Sequence, residues 1–167
     1  MTPPTTNQAT ADQARTLPAF FDMSVPEDVI DENGHMNISA YFQYGSWAPW
    51  QLLGTLGMNE DYIEGRGLSF FTVGHHISYL EELRLGERFT VRAGIAGRSG
   101  RAVHLTALIL DEERDRLACV LEAMYVHISM ETRRAAPIPE ELVAAIEASA
   151  AAHPWVAEIS TGLTLRR

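Results

Sequence analysis

The sequence predicts an α+β fold in which one long apolar helix precedes a run of antiparallel strands. Three observations carry this expectation. Ile38 to about Leu56 keeps helical spacing with little polar surface. Four β-rich stretches follow, at 68–79, 88–96, 101–110 and 117–128. The turn signal Gly97-Arg98-Ser99-Gly100 makes two of these stretches hairpin partners, hence antiparallel. At 167 residues the chain has the length of one domain with a sizeable core.

In chain order, residues 1–17 are rich in Thr, Pro, Ala and Gln and read as a flexible tail. The domain is expected over 18–152, and 153–167 receives no structural assignment. Ala19 to Val25 alternates weakly through Phe20, Phe21 and Met23 and reads as a first strand, which Pro26 ends. Glu27 to Asn33 is then a loop. Gly34 permits a sharp turn, and Asn37 is a good N-cap for the helix that begins at Ile38. At about 100° per residue, Ser39, Gln43, Ser46 and Trp50 share its least apolar stripe, with Tyr41, Tyr44, Gly45, Ala48 and Leu52 opposite. A helix this apolar is expected to be buried, with Gly45 and Ala48 allowing close approach to a sheet. Pro49 predicts a kink or a break, because it deletes a hydrogen bond and crowds the preceding turn. Gly54 to Gly67 is loop-like, with a helical turn near Asn59 to Ile63. In the second and third strand stretches Phe89, Val91, Ala93 and Ile95 share one face, as do Val103, Leu105, Ala107 and Ile109. The run 117–128 is apolar on both faces and reads as a central strand. Pro139-Glu140-Glu141 begins a last helix.

The net charge of −9, without a basic cluster, argues against nucleic acid as a partner. Cys119 is the only cysteine, so no intrachain disulfide forms, and its apolar setting suits a core residue. No basic-then-apolar leader is visible and no stretch is apolar enough to span a bilayer, so the expectation is a cytoplasmic protein without membrane association. His75 and His76 are adjacent, so in a strand they point to opposite faces and cannot chelate as a pair; no metal is expected. His104 and His127 read as interface or sheet-face residues. A Gly-x-Ser-x-Gly elbow and a glycine-rich phosphate loop are both missing. No cofactor is expected.

Chemistry concentrates between Asp31 and Tyr41. Asp31 arrives just before a helix start, where unpaired N–H groups and a partial positive charge gather. A carboxylate beside free backbone donors suits acyl transfer. The plainer reading is that Asp31 and Asn37 only shape a loop and cap a helix. Asp31-x-x-Gly34-His35-Met36-Asn37-x-x-x-Tyr41 resembles the Asp-x-x-Gly-His-Val-Asn signature of hotdog-fold acyl-CoA thioesterases of the 4-hydroxybenzoyl-CoA type. The stretch His76 to Val91, and Arg133-Arg134 followed by Pro137-Ile138-Pro139, resemble later parts of that family, so the likeness covers roughly residues 19 to 145.

The resemblance implies a central helix wrapped by a curved antiparallel sheet. It also implies a homodimer or homotetramer paired through sheet edges, with active sites at the shared interface. The substrate would be an acyl-CoA. Asp31 matches the catalytic carboxylate, acting as nucleophile or general base. The backbone N–H of Ile38 or Ser39 would hold the oxyanion, with Gly34, His35, Asn37 and Tyr41 in support. Arg84, Arg88, Arg98, Arg101, Arg133 and Arg134 are available for CoA phosphates. The Gly-His-Met-Asn stretch with Arg133-Arg134 also resembles betainyl-CoA thioesterases of carnitine breakdown, implying a small cationic acyl group. Trp47 and Trp50 are candidate acyl-pocket residues, because aromatic faces attract quaternary ammonium. The competing reading is a non-catalytic hotdog module that binds acyl-CoA or a related ligand.

Overall fold

In the computed structural model the described residues are 9–159 together with Leu163 and Leu165. The long helix, α2 (Ile38–Thr55), forms as the sequence predicts and organises the core. Before it come a short helix, α1 (Ala11–Thr16), and strand β1 (Ala19–Ser24); after it, helix α3 (Glu60–Arg66). Strands β2 (Leu68–Tyr79), β3 (Arg88–Arg98), β4 (Ala102–Asp111) and β5 (Arg116–Ser129) follow, then helix α4 (Glu140–Ala152). The five strands make one sheet in the order β1-β3-β4-β5-β2, antiparallel throughout. β1 and β2 are its edges. β5 is buried along most of its length, as its two-faced apolar sequence requires.

Helix α2 lies on one face of this sheet. Its Ala40, Tyr41, Gly45, Ala48 and Leu52 pack with Val91, Ala93, Leu105, Ala107, Leu121 and Ala123. Each large side chain buried this way contributes roughly 1.5–3 kcal/mol. Gly45 marks the closest approach: a Cβ there would lie 3.1 Å from Leu121 Cδ1. Pro49 does not break the helix, which runs through it as one element. Its ring is buried on the sheet-facing side, where packing compensates for the missing hydrogen bond. The expectation of a fully buried helix is met on one side only. Ile38, Phe42, Trp47 and Trp50 stay exposed in the single chain.

The expected flexible tail also needs correction. Residues 10–16 form a capped helix in which Thr10 and Gln13 bond reciprocally. Ala14 and Leu17 are buried against Leu108, Leu110, Val120, Val156 and Ile159 on the outer sheet face. Two isolated apolar residues were enough because that face offers a ready apolar surface. Residues 1–8, the rest of that tail, lie outside the described residues. At the other end, Pro154–Glu158 is a short 3-10 turn that buries Val156. Among the described residues no helix is long and apolar enough to cross a membrane.

Candidate active site

The Asp31 turn is built by its own backbone. The Asp31 carbonyl accepts from Gly34 N–H at 3.0 Å, and the His35 carbonyl accepts from Asp31 N–H at 3.0 Å. Gly34 takes φ +79°, the left-handed conformation the turn needs. Asp31 Oδ1 accepts from Asn33 N–H at 2.9 Å. Among the described residues no donor reaches Oδ2. The carboxylate is 20% exposed, with Oδ1 3.8 Å from His35 Nδ1, which itself lies 3.3 Å from the Met36 carbonyl.

Asn37 joins this turn to the helix. Its Oδ1 accepts from Ala40 N–H at 3.0 Å, capping α2, while its Nδ2 and backbone N–H both donate to the Val29 carbonyl at 2.9 Å. Ile38 and Ser39 are the first two helical residues. Their N–H groups have no carbonyl one turn back to bond within the helix. Both residues are exposed, so their donors face open space. Asn37 thus ties the helix start to Val29, two residues before Asp31.

A cleft of about 240 Å³ opens beside the helix start. His35, Met36, Ile38, Tyr41, Tyr79, Leu80, Glu81 and Glu82 line it. Tyr41 forms its floor: its hydroxyl donates to the Glu81 carbonyl at 3.1 Å and accepts from Leu83 N–H at 2.8 Å. Burial holds this phenol at a pKa of about 12, so it serves as a neutral strut. Tyr79 meets Tyr41 edge-on with ring centroids 5.6 Å apart. Trp47 and Trp50 do not line this cleft. Trp47 lies against Phe21, and Trp50 against Tyr125. Tyr79, Glu81 and Glu82 fall in the stretch 76–91 that resembles the family, but nothing in the sequence assigns them a site role; the contact of Tyr79 with Tyr41 and the bond from the Tyr41 hydroxyl to the Glu81 carbonyl bring them to the helix start.

A family model for the thioesterase-like superfamily matches residues 25–146. The chain belongs to the thioesterase-like superfamily. The Pseudomonas aeruginosa betainyl-CoA thioesterase is 31% identical over 80% of this chain and 84% of that protein. A bifunctional L-carnitine dehydrogenase/betainyl-CoA thioesterase from Ruegeria pomeroyi is 34% identical over 84% of this chain, which spans 27% of that protein. Among solved structures, a Staphylococcus aureus protein in complex with CoA aligns over 90% of each chain with a TM-score of 0.73 and 26% identity. A 1,4-dihydroxy-2-naphthoyl-CoA thioesterase from Synechocystis aligns over 75% of this chain and 93% of its own, with a TM-score of 0.66 and 20% identity. The latter speaks for the fold alone. The hotdog fold and the superfamily's thioester hydrolysis are therefore the frame for the remaining residues.

Several ionisable groups stand outside the thioesterase cleft. Cys119 is fully buried, and burial pushes its thiol up to about 12, which leaves it protonated and inert. His75 and His76 do point to opposite faces. His75 packs on Phe42 of α2, with ring centroids 5.0 Å apart, whereas His76 Nδ1 lies 3.1 Å from Glu122 Oε2 on the outer face. His104 Nε2 lies 3.0 Å from Glu122 Oε1. His104 is therefore a sheet-face residue, as expected. His127 is instead a core residue, with Nε2 2.6 Å from the Tyr62 hydroxyl and Nδ1 3.0 Å from the Ala136 carbonyl. Of the six arginines expected near phosphates, Arg84, Arg88 and Arg98 already pair with Glu82, Asp22 and Glu147. Arg101, Arg133 and Arg134 have no ion-pair partner among the described residues. All three adjoin the end of β5: the Arg101 carbonyl accepts from His127 N–H, and the Arg134 carbonyl from Ser129 N–H.

Proposed function

We propose that this thioesterase hydrolyses a small acyl-CoA, betainyl-CoA first among the candidates, with the Asp31 carboxylate as the reacting group. The observation that carries the reading is the clamp of Asn37. It ties the helix start, where the N–H groups of Ile38 and Ser39 have no helical partner, to Val29 just ahead of the Asp31 turn, whose carboxylate keeps one oxygen without a donor among the described residues. Developing negative charge on the thioester oxygen would be held by those donors, already oriented and costing no reorganisation. Asp31 then acts in one of two ways. It attacks the carbonyl carbon, expelling CoA thiolate and leaving a mixed anhydride that water hydrolyses. Alternatively it takes a proton from the water that attacks. His35 and the Asp31 turn keep the carboxylate in place. The two relatives named above as betainyl-CoA thioesterases support the acyl group.

The protein acts as a homodimer at least, paired along the β2 edge. Among the described residues that edge is long and has no strand partner, with Phe71 and Val73 exposed on it. Pairing about a two-fold axis sets two β2 strands antiparallel. The cleft lies by Tyr79 at one end of β2, and the free arginines lie by Leu68 at the other, about 36 Å away. An antiparallel partner would bring its own arginines toward the mouth of this cleft, where they can take the CoA phosphates at the far end of the substrate from its acyl group. This also answers the unfavourable global charge.

Thiol release from a panel of acyl-CoAs tests the reading. Turnover of betainyl-CoA supports it. Measurable binding with no turnover of any acyl-CoA would instead support a non-catalytic module. Single-turnover hydrolysis in heavy-oxygen water separates the two roles of Asp31: label in its side chain marks the nucleophile.

A further inference from the structure

We infer that the cleft at the start of α2 selects the acyl group by charge, using the Tyr79 ring and the Glu81 and Glu82 carboxylates as a seat for quaternary ammonium. This rests on the thioesterase reading above and adds the residues that set its specificity.

The argument begins with the size of the substrate. In a betainyl thioester the nitrogen is one methylene from the reacting carbonyl carbon. The N–C–C(=O) skeleton is that of a peptide residue, so the two atoms are about 2.5 Å apart. A carbonyl held at the N–H groups of Ile38 and Ser39 therefore puts the ammonium within the same few ångströms. Cation–π attraction acts only within about 6 Å of a ring centroid. Trp47 and Trp50 of the same chain lie nine and twelve residues beyond Ile38, about 13 and 18 Å along the helix axis. They are out of reach. Tyr41 and Tyr79 line the cleft at the helix start itself. Tyr41 is nearly buried, whereas Tyr79 is 47% exposed and offers its ring.

Charge points the same way. Among the described residues of this chain no arginine lines the cleft, and its one basic side chain is His35. Glu81 and Glu82 both line it. Each has an arginine neighbour, Glu81 with Arg116 at 2.9 Å and Glu82 with Arg84. Neither arginine is in the lining, and both pairs are solvent-exposed, where an ion pair is weak. A cation inside the cleft thus meets an aromatic face and a lining that includes two acidic residues. A neutral group of the same shape gains only the contact area.

The test compares betainyl-CoA with 3,3-dimethylbutanoyl-CoA, in which carbon replaces the nitrogen and the shape is kept. The wild-type ratio of kcat/KM should favour the cation by about tenfold or more. Tyr79→Leu should cut that ratio by about 2- to 30-fold, with an unchanged far-UV circular dichroism spectrum reporting an intact fold. Tyr79→Phe, which keeps the ring, should keep the ratio. The double variant Glu81→Gln with Glu82→Gln should lower it as well. A wild-type ratio near one overturns the inference and leaves the thioesterase reading standing. So does a ratio that survives Tyr79→Leu but collapses in Trp50→Leu. Absence of thiol release from every acyl-CoA overturns both.

Discussion

Asp31 and Asn37 do different jobs a few ångströms apart, and one substitution separates them. Asp31→Asn keeps an oxygen that can accept from Asn33 N–H, so the turn should persist. It removes the charge that either proposed role requires. The expected outcome is a loss of kcat on the order of a hundredfold or more, with the melting temperature nearly unchanged. Thiol-release kinetics and calorimetry check this together, and a wild-type kcat would sink the assignment. These two residues were legible in the sequence because their effects are local. A glycine at positive φ, a capping asparagine and a carboxylate ahead of a helix start all act within seven residues. Tyr79 and Glu81 were not legible as site residues. They are more than forty positions away in sequence from the Asp31 turn, and their role depends on contacts with Tyr41 that their spacing does not show.

At the scale of elements, Tyr41 is the bolt between α2 and the segment that follows β2. Its hydroxyl holds both the Glu81 carbonyl and the Leu83 N–H. Tyr41→Phe leaves a buried N–H without a partner, at a cost of roughly 1–3 kcal/mol. The cleft wall at Glu81 and Glu82 should loosen with it. Expected readings are a lower melting temperature and a raised KM, with kcat falling less than in Asp31→Asn. An unchanged KM would detach Tyr41 from the cleft. Periodicity placed α2 and the strands β2 to β5 almost to the residue. Of the kink or break expected at Pro49, the break is absent, since the helix runs through that position as one element. Periodicity missed α1, whose capping box of Thr10 and Gln13 is local, because six residues are too few to show a helical period and the outer sheet face supplies the burial.

The whole molecule makes two further predictions. In solution the protein should be at least a dimer at micromolar concentration by light scattering. Val73→Lys places a charge in the middle of the exposed β2 edge, where charges block edge pairing. It should shift the protein toward monomer and lower activity without changing the far-UV circular dichroism. A wild-type monomer would remove the proposed pairing. The second prediction concerns acid. Burial lowers the pKa of both His75 and His127 in the folded chain. Above about pH 6.5 both rings are neutral in either state and this term is silent. As pH falls below that value, the unfolded rings take protons that the folded rings refuse, and stability drops. Urea midpoints should therefore fall as the pH drops below about 6.5. His127→Asn should flatten that part of the curve.

What the sequence determined by itself is the set of local conformations: the Asp31 turn, the Asn37 cap, the long apolar helix and the alternating strands. Backbone preference and side-chain period act over a few residues, so they can be read without coordinates. Only the tertiary structure decided which surfaces meet. It set the strand order that leaves β2 as an edge, and the packing that brings Tyr79 beside Tyr41. It also seated α1 on the outer face and kept Trp47 and Trp50 out of the cleft. Those outcomes depend on contacts between residues far apart in the chain. No short window of sequence contains both partners of such a contact.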